Sequence, residues 1–164
     1  MALIPLTKGK FAVVDDEDFE RLSKFRWSAV NMGGRWYAYR YMKNGEPNPR
    51  RGVPMHREII STDKMDVDHI DGDGLNNSRA NLRPASRAEN LWNARKTRGK
   101  SRFKGVHFHS QNKKWRATIM ANGKKHELGC HGTEEDAALA YNKAAAELFG
   151  NFARLNQVEV SYGR

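Results

Sequence analysis

The segment 66–94 constrains the fold more than any other part of the chain. An apolar stretch ends in an Asp-His pair, and a loop rich in glycine and asparagine follows it (VDHIDGDGLNN, residues 67–77). Residues 82–85 are predicted to form a second short strand. The sequence SRAE at 86–89 fits a capping box, in which Ser and Glu satisfy each other's backbone amides where a helix begins. The segment therefore predicts strand, loop, strand and helix in that order.

Three polar side chains of this segment are expected to converge. Gly72 and Gly74 permit a sharp turn after the first strand, which would let Asp68 and His69 approach Asn90 in the helix. Carboxylate and amide oxygens suit Mg²⁺, which accepts one or two protein ligands and keeps water and substrate phosphate in its other positions. A neutral imidazole can take a proton from water at about pH 7. Together these groups could hydrolyse a phosphodiester.

Two structural interpretations compete with this one. A calcium loop would place its ligands at fixed positions and end in a glutamate at the twelfth. Loops that start at Asp66, Asp68 or Asp71 do not fit that register. A purely structural histidine beside a turn rich in Asp and Asn is the second interpretation, and composition alone leaves it open.

The charge of the chain is unevenly distributed. The net charge is +10, and residues 95–164 hold 14 Lys and Arg against 6 Asp and Glu, whereas residues 1–94 hold 15 against 13. A basic surplus in one half is typical of a protein that binds a polyanion, most often nucleic acid. A solubility surface is the alternative.

Cysteine content and hydropathy indicate the compartment. Cys130 is the only cysteine, so an intramolecular disulfide and a cysteine-rich zinc site are both excluded. No apolar stretch approaches the roughly 18 residues of a membrane helix, and the first residues lack the apolar core of a secretory signal. We therefore expect a soluble, non-secreted protein of a reducing compartment.

The first third of the chain predicts short elements. Residues 3–14 are expected to form one or two strands, and the acidic run 15–18 to open a helix over 19–25. Acidic residues at a helix start are more simply a cap than a metal site. The aromatic residues of 36–41 alternate as in a strand of a hairpin, and we expect them to fill a core rather than stack on bases. Residues 55–60 are predicted to be helical.

A basic segment at 95–102 predicts a linker. It carries five cations and no apolar side chain, so it cannot bury itself and is expected to be disordered without DNA. We expect the cations to track a phosphate backbone. They are Arg95, Lys96, Arg98, Lys100 and Arg102.

The last third predicts a three-stranded sheet and a helix. Strands are expected at 105–109, 114–120 and 124–129, with the hairpin signal Asn122-Gly123 between the last two. A helix is expected from Thr133 to about Phe149. Its predicted apolar stripe is Ala137, Ala140, Tyr141, Ala144, Ala145 and Leu148. The sheet face away from the helix is polar, mostly cationic and about as wide as a major groove; its residues are His107, His109, Arg116, Thr118, Met120, Lys125 and Glu127.

The first part of the chain resembles the HNH homing endonucleases with the ββα-metal fold, which are common in phages and mobile introns. The matching motifs are MHR at 55–57, VDHIDG at 67–72, NN at 76–77, NLR at 81–83 and EN at 89–90. The motifs LTKGK at 6–10 and VDDED at 14–18 resemble the N-terminal region of a phage subgroup.

The resemblance assigns a role to each site residue. It implies that Asp68 binds the metal, His69 is the general base and Asn90 completes the metal ligands. Asn81 is implied to pin the loop that holds the histidine. Two further roles stay open: His56 is either a buried structural histidine or a group that contacts the site residues, and Arg87 either braces the phosphate or is a surface arginine.

The last third resembles the plant ethylene-response-factor (Apetala-two) domain, in which the sheet reads the major groove. The matching motifs are KGV at 104–106, KW at 114–115, LG at 128–129, EEDAALAYNKAA at 134–145 and LN at 155–156. The positions that read bases in that family hold Lys104, His107, Thr118, Met120, Lys125 and Glu127, so most of its arginines and tryptophans are missing. Phosphate anchoring carries over, but the plant domain's base preference does not.

These interpretations combine into one hypothesis. The fold class is α+β, with an HNH nuclease domain at 1–94 (ββα-metal core about 66–94), a basic linker at 95–102 and an ethylene-response-factor-like domain at 103–158. The function is a homing-type endonuclease that depends on Mg²⁺, with Mn²⁺ as the alternative, and acts on double-stranded DNA. The resemblance implies that it acts in the cytoplasm of a bacterial or phage-infected cell. A monomer is favoured and should nick one strand; a dimer stays open. The alternative is a sequence-specific DNA-binding regulator with a non-catalytic HNH scaffold.

Overall fold

The computed structural model describes residues 1–41, 52–62, 65–95 and 99–159. The chain forms two compact units, Met1–Asn90 and Leu91–Arg164. Both contain helices and small antiparallel sheets, which confirms the α+β class. Within the described residues, none of the helices has the length and apolar character needed to cross a membrane.

The N-terminal unit consists of short elements in three small sheets. The strands β1 and β2 pair, β3, β4 and β5 form the second sheet, and β6 pairs with β7. In chain order its described strands and α-helices are β1 Ala2–Pro5, β2 Phe11–Val14, α1 Asp16–Leu22, β3 Ser28–Met32, β4 Arg35–Tyr41, β5 Gly52–Pro54, α2 Met55–Ile59, β6 Asp66–His69 and β7 Leu82–Ala85. The next helix, α3 Arg87–Asn93, begins in this unit, and its residues from Leu91 onward belong to the C-terminal unit.

One core joins these sheets. It includes Ile4 and Val14 from the first sheet, Met55 from α2, and Val67 and Leu82 from the β6–β7 pair. The β6–β7 pair is therefore anchored in the core by its apolar residues, while its polar residues are available for other contacts. The helix predicted at 55–60 is confirmed by α2.

The acidic run does more than begin a helix. The helix α1 starts at Asp16 rather than at the predicted residue 19, so three of the four acids lie within its first turn. Asp15 makes no side-chain cap bond; its carboxylate accepts the backbone amide of Arg79 at 2.7 Å. Asp18 is buried and accepts hydrogen bonds from Arg79 and Arg21. The acids thus tie α1 to the segment that precedes β7.

The aromatic residues of β4 are less buried than the sequence suggests. The predicted hairpin forms, with Gly33 and Gly34 at positive φ. In β4, Ala38 is buried, whereas Trp36 and Tyr37 are only partly covered. The prediction that the alternating aromatics fill the core is therefore wrong in part, because adjacent strand residues face opposite sides of the sheet.

The C-terminal unit follows the predicted order of elements. The strands β8 Val106–His109, β9 Lys114–Ala121 and β10 Lys124–His131 form an antiparallel sheet with β9 in the centre, and α4 spans Glu134–Phe149. Asn122 and Gly123 both have positive φ, as a tight hairpin turn requires. The Oγ1 atom of Thr133 accepts the Asp136 amide at 3.0 Å and caps α4.

The buried face of α4 differs from the prediction at its last turn. Leu148 is 44% exposed, whereas Phe149 is buried. The buried row advances by four residues from Ala137 through Tyr141 and Ala145, so its next member is Phe149. The ring of Phe149 stacks on Trp92 with centroids 4.5 Å apart.

The last residues of the predicted linker are ordered. Ser101 is buried, and its Oγ atom accepts the Phe103 amide at 3.0 Å. The Arg102 amide donates to Glu134 and its guanidinium donates to Glu135, both in the first turn of α4. For Ser101 and Arg102 the expectation of disorder is therefore wrong, because these polar bonds replace the missing apolar contacts.

Candidate active site

The β6–β7 pair positions the two central side chains. Asp68 lies opposite Arg83, and His69 opposite Leu82, in an antiparallel register. Both Asp68 and His69 are buried, although β6 ends at His69. The chain leaves the strand there through a turn in which the Gly72 amide donates to the His69 carbonyl at 2.9 Å.

Asn81 fastens the loop that follows His69. Its Oδ1 atom accepts the Asp71 amide at 3.0 Å, and its backbone carbonyl accepts the Ile70 amide at 2.9 Å. Its Nδ2 atom donates to Asp71 Oδ1 at 3.0 Å and to the Asn76 carbonyl at 2.8 Å. One buried amide therefore ties the beginning of the loop to its end.

Asp71 is the second centre of this hydrogen-bond network. Its Oδ1 atom also accepts the Asp73 amide at 2.8 Å, and its Oδ2 atom accepts the Asn76 side chain at 2.8 Å. Burial alone would raise the pKa of Asp71, but these bonds and the bond from Asn81 outweigh it and lower the pKa below the usual value. Asp71 is therefore an ionised structural carboxylate of the loop.

The N-terminal sheet supports the same loop from the outside. The Val13 amide donates to the Leu75 carbonyl at 2.9 Å, and the Val13 carbonyl accepts the Asn77 amide at 2.8 Å. Strand β4 also approaches closely: a Cβ atom added to Gly74 would lie 2.3 Å from the Tyr37 ring and 2.5 Å from the Trp36 carbonyl. Only glycine fits at position 74 without a shift of β4 or of the loop.

Asn77 holds the imidazole of His69. The Nε2 atom of His69 lies 3.3 Å from Asn77 Oδ1, and the Asn77 amide nitrogen donates to the Gly74 carbonyl at 3.4 Å. Since the amide oxygen faces Nε2, this nitrogen is the donor and the basic lone pair of the ring is on Nδ1. Asn77 is 1% exposed, so water cannot replace it easily.

Two further rings surround His69. The His56 ring meets it edge to face, with centroids 5.0 Å apart and planes at 89°. The Tyr37 ring lies 5.9 Å from His69 and 6.3 Å from His56. The Asn77 hydrogen bond and packing on two sides therefore hold the imidazole.

Burial keeps both histidines neutral. It lowers the pKa of His56 to about 3, helped by the nearby His69 and the charge of Arg57. Burial also lowers the pKa of His69, against the opposing effect of the Asn77 bond and of the carboxylates of Asp71 and Asp68. A neutral His69 can accept a proton.

Asp68 is engaged by an arginine. Arg83 Nε and Nη2 both donate to Asp68 Oδ2, at 2.9 and 2.7 Å, and both side chains are largely buried. A cation at Asp68 would therefore share this carboxylate with a guanidinium. The described residues contain no cluster of three or more His, Cys, Asp or Glu side chains that could hold a metal ion. A single carboxylate with an amide suits Mg²⁺, which keeps several waters, better than it suits zinc.

The predicted capping box of α3 is confirmed. The Ser86 amide donates to Glu89 Oε2 at 2.7 Å, and the Glu89 amide donates to Ser86 Oγ at 3.3 Å. Asn90 follows one residue later and is half-buried, and Arg87 at the first helical position is exposed. The approach of Asn90 to Asp68 stays a prediction.

Several residues of the predicted DNA-contact face of the C-terminal unit lie on one side of its sheet. The register pairs His107 with Arg116 and Met120 with Lys125, so these side chains share one face. Glu127 moderates the charge of this face, since it lies 2.7 Å from Lys125 and 3.9 Å from Arg116. His109, at the end of β8, is partly covered.

Two members of the predicted DNA-contact set, Thr118 and Lys104, differ from the others in their surroundings. Thr118 is buried in the central strand, opposite Glu127. The Nζ atom of Lys104 donates to the carbonyls of Leu91 and Trp92 in the last turn of α3, where a cation is favourable because it lies at a helix C-terminus. Contact of either side chain with DNA stays a prediction.

The cations of the basic segment differ in their surroundings. Arg95 and Lys100 are exposed, and Arg102 is paired with Glu135. Lys96 and Arg98 lie outside the described residues.

Sequence reasoning missed three residues of the site. Asn77, Arg83 and Tyr37 contact His69 or Asp68, yet none was given a role there. A strand pairing of β6 with β7 would have indicated Arg83 as the partner of Asp68. Tyr37 had no such signal, because it reaches the site from a separate sheet.

A family model and two relatives match this chain. Residues 42–91 match the model of the HNH endonuclease family. A relative named "Uncharacterized HNH endonuclease L560", from Acanthamoeba polyphaga mimivirus, is 34% identical over 159 residues, which cover 93% of this chain and 78% of the relative. A second relative, "Protein 3.8" of Escherichia phage T7, is 38% identical over 89 residues, covering 54% of this chain and 73% of the relative.

Proposed function

Because the chain belongs to the HNH endonuclease family, we propose that it is a metal-dependent, homing-type DNA endonuclease with His69 as its general base. Membership of this family makes the chain a hydrolase that cleaves DNA. Beyond the family activity, we propose which residues act, which metal is used and which part of the chain targets the DNA.

The proposed base is the Nδ1 atom of His69. Asn77 Oδ1 accepts a hydrogen bond from the Nε2–H group and so fixes both the tautomer and the orientation of the ring. Burial keeps the ring neutral before the reaction, so Nδ1 takes a proton from the attacking water. The Asp71 and Asp68 carboxylates then stabilise the imidazolium that forms.

Asp68 and Asn90 are the proposed metal ligands. A divalent ion, Mg²⁺ or Mn²⁺, supplies charge that stabilises the pentacoordinate phosphorus and the departing 3′ oxygen. The Asp68 carboxylate offers a hard oxygen at the end of β6, and Asn90 offers an amide oxygen on α3. Arg83, which pairs with Asp68, would be positioned near the same phosphate.

The C-terminal unit is the proposed targeting module. Its basic surplus and the shared face of His107, Arg116 and Lys125 support a role in binding the DNA backbone. One active site cuts one strand, so a monomer would nick, and a double-strand break would need two protomers or two events.

The observation that carries the proposal is the buried His69, fixed by Asn77, beside Asp68 at the end of β6. The test is relaxation of supercoiled plasmid with Mg²⁺ or Mn²⁺ by the wild type, His69→Ala and a control, His126→Ala, which removes an exposed histidine of β10. We expect wild type and control to nick and His69→Ala to bind DNA without cutting. Metal-independent cutting, or equal cutting by His69→Ala, would contradict the proposal. DNA binding without cleavage by the wild type would favour the regulator.

A further inference from the structure

The cations of the N-terminal unit fall into two groups. Most of its described arginines are bound to carboxylates: Arg21, Arg40, Arg57, Arg79 and Arg83. In the part of the unit that the structure describes, the cations that form no ion pair with a carboxylate are Lys8, Lys10, Arg26, Arg35 and Arg87. Paired cations contribute little field to an approaching polyanion, so the second group determines where DNA is attracted.

Two members of the second group converge on one aromatic ring. The Nζ atoms of Lys8 and Lys10 lie 4.9 and 4.5 Å from the centroid of Trp36. An indole attracts an ammonium through its π electrons but does not neutralise the charge. Two positive charges at one ring repel each other, and an anion bound to both would relieve that repulsion.

The backbone holds these lysines in place. Lys8 has φ of 63°, in the left-handed region that a residue with a side chain rarely adopts. The Leu6 amide donates to the Lys10 carbonyl at 2.8 Å, and Thr7 Oγ1 accepts the Ala29 amide at 3.0 Å, so the turn is closed on both sides. Glycine would relieve the strain at position 8, but it would lose the cation.

The pair lies beside the loop that holds the proposed base. Strand β2 follows Lys10, and its residue Val13 is hydrogen-bonded to Leu75 and Asn77 of the loop. Asn77 in turn holds His69. Three residues of extended strand span roughly 10 Å, so a duplex whose scissile phosphate reached His69 would have neighbouring phosphates near the turn Thr7–Gly9.

We infer that Lys8 and Lys10, held over Trp36, form a binding site for the phosphate backbone of the DNA substrate next to the cleavage site. The inference rests on the proposed function, because it names residues that would hold the DNA to be cut. It adds a sequence-independent contact within the N-terminal unit itself, apart from the C-terminal sheet.

The test measures DNA affinity of the full chain as a function of salt. The probe is a fluorescent duplex of random sequence, in EDTA so that no cleavage occurs, with anisotropy as the readout. The variants are Lys8→Gly, Lys10→Gln and the double variant. The control is Lys24→Gln, which removes one exposed cation from the same unit, paired with Glu20 on the helical surface. Thermal unfolding is measured for each protein.

The double variant should lose roughly tenfold in affinity, and the slope of log affinity against log salt should fall by about two, since each lost phosphate contact contributes about 0.9. Lys8→Gly should melt no lower than the wild type. A double variant that matches the control, or that loses affinity with an unchanged slope, would overturn the inference.

Failure of the inference and failure of the proposed function give different results. A wild type that does not cleave plasmid removes the proposed function, but the salt slopes still decide whether Lys8 and Lys10 contact phosphate. An unchanged slope in a protein that cleaves normally removes the inference alone.

Discussion

Arg83 donates to the Oδ2 atom of Asp68 through both Nε and Nη2. The two residues face each other across β6 and β7, and their side chains are 16% and 7% exposed. A paired charge in this position is tolerated, whereas an unpaired one is costly.

Replacement of Arg83 should therefore destabilise the fold. Arg83→Met leaves the Asp68 carboxylate buried without its guanidinium, and we expect the free energy of unfolding to fall by about 2–4 kcal/mol. If Asp68 binds metal as proposed, Mg²⁺ should restore part of this loss, because the cation would take the place of the missing guanidinium. Urea unfolding with and without Mg²⁺ measures both effects.

The control is Arg57→Met, whose partner Asp66 is exposed. Its cost should be at most about 1 kcal/mol, with no dependence on Mg²⁺. Equal losses for the two variants would show that the buried position of the Arg83 pair has no special importance.

Asn77 should control the basicity of His69. Asn77→Leu removes the acceptor for Nε2, and we expect kcat to fall by roughly 10- to 100-fold, part of the contribution of a general base. Asn77→Asp retains an acceptor but adds a negative charge, which raises the pKa of His69. The acidic limb of the pH–rate profile should then move to higher pH. Identical profiles for Asn77→Asp and the wild type would contradict the assigned contact.

Gly74 should be intolerant of a side chain. In Gly74→Ala the added Cβ would clash with the Tyr37 ring and the Trp36 carbonyl, so we expect a loss of about 1–3 kcal/mol. The cleavage rate should fall by more than the loss of folded protein accounts for. The reason is that any shift that makes room for the Cβ also moves the loop that follows His69. Gly132→Ala is the control, since a Cβ there meets nothing within 4 Å. Urea unfolding measures the loss of stability, and single-turnover cleavage measures the loss of activity. Normal stability of Gly74→Ala would contradict the close packing at this position.

Local signals in the sequence predicted the elements that carry the site. The capping box at Ser86 and Glu89 and the turn at Asn122-Gly123 depend on residues close together in the chain, so their structures followed from the sequence. The positions of β6, β7 and α3 were predicted for the same reason.

The parts that the sequence did not predict depend on contacts between distant segments. Tyr37 reaches His69 from another sheet, and Asp15 binds Arg79 rather than its own helix. No periodicity within one element contains this information.

The buried histidines should make stability depend on pH. His56 titrates at about 3 when folded and near its ordinary value of 6.5 when unfolded. Above pH 6.5 both states are neutral and the residue has no effect; as the pH falls below 6.5 only the unfolded state gains a proton, so stability falls until the folded pKa is reached. The expected slope is about 1.4 kcal/mol per pH unit for this residue.

His56→Phe retains a ring but cannot titrate, so its stability should fall less between pH 6.5 and 5 than that of the wild type. Urea unfolding at pH 7.5, 6.5 and 5.0 measures the difference. Parallel pH dependence in the two proteins would mean that His56 is readily protonated in the folded state.

In the C-terminal unit, replacing Lys104 should affect mainly stability, whereas replacing Arg116 should affect mainly DNA binding. Lys104 donates to the last carbonyls of α3, so Lys104→Met should lower the free energy of unfolding by about 1 kcal/mol. Arg116 lies on the shared sheet face beside His107, so Arg116→Gln should leave stability nearly unchanged and reduce the salt slope of DNA binding by about one. Thermal unfolding and salt-dependent anisotropy on the full chain measure the two effects. If Lys104→Met lowered the salt slope as much as Arg116→Gln without a loss of stability, Lys104 would be a DNA contact after all.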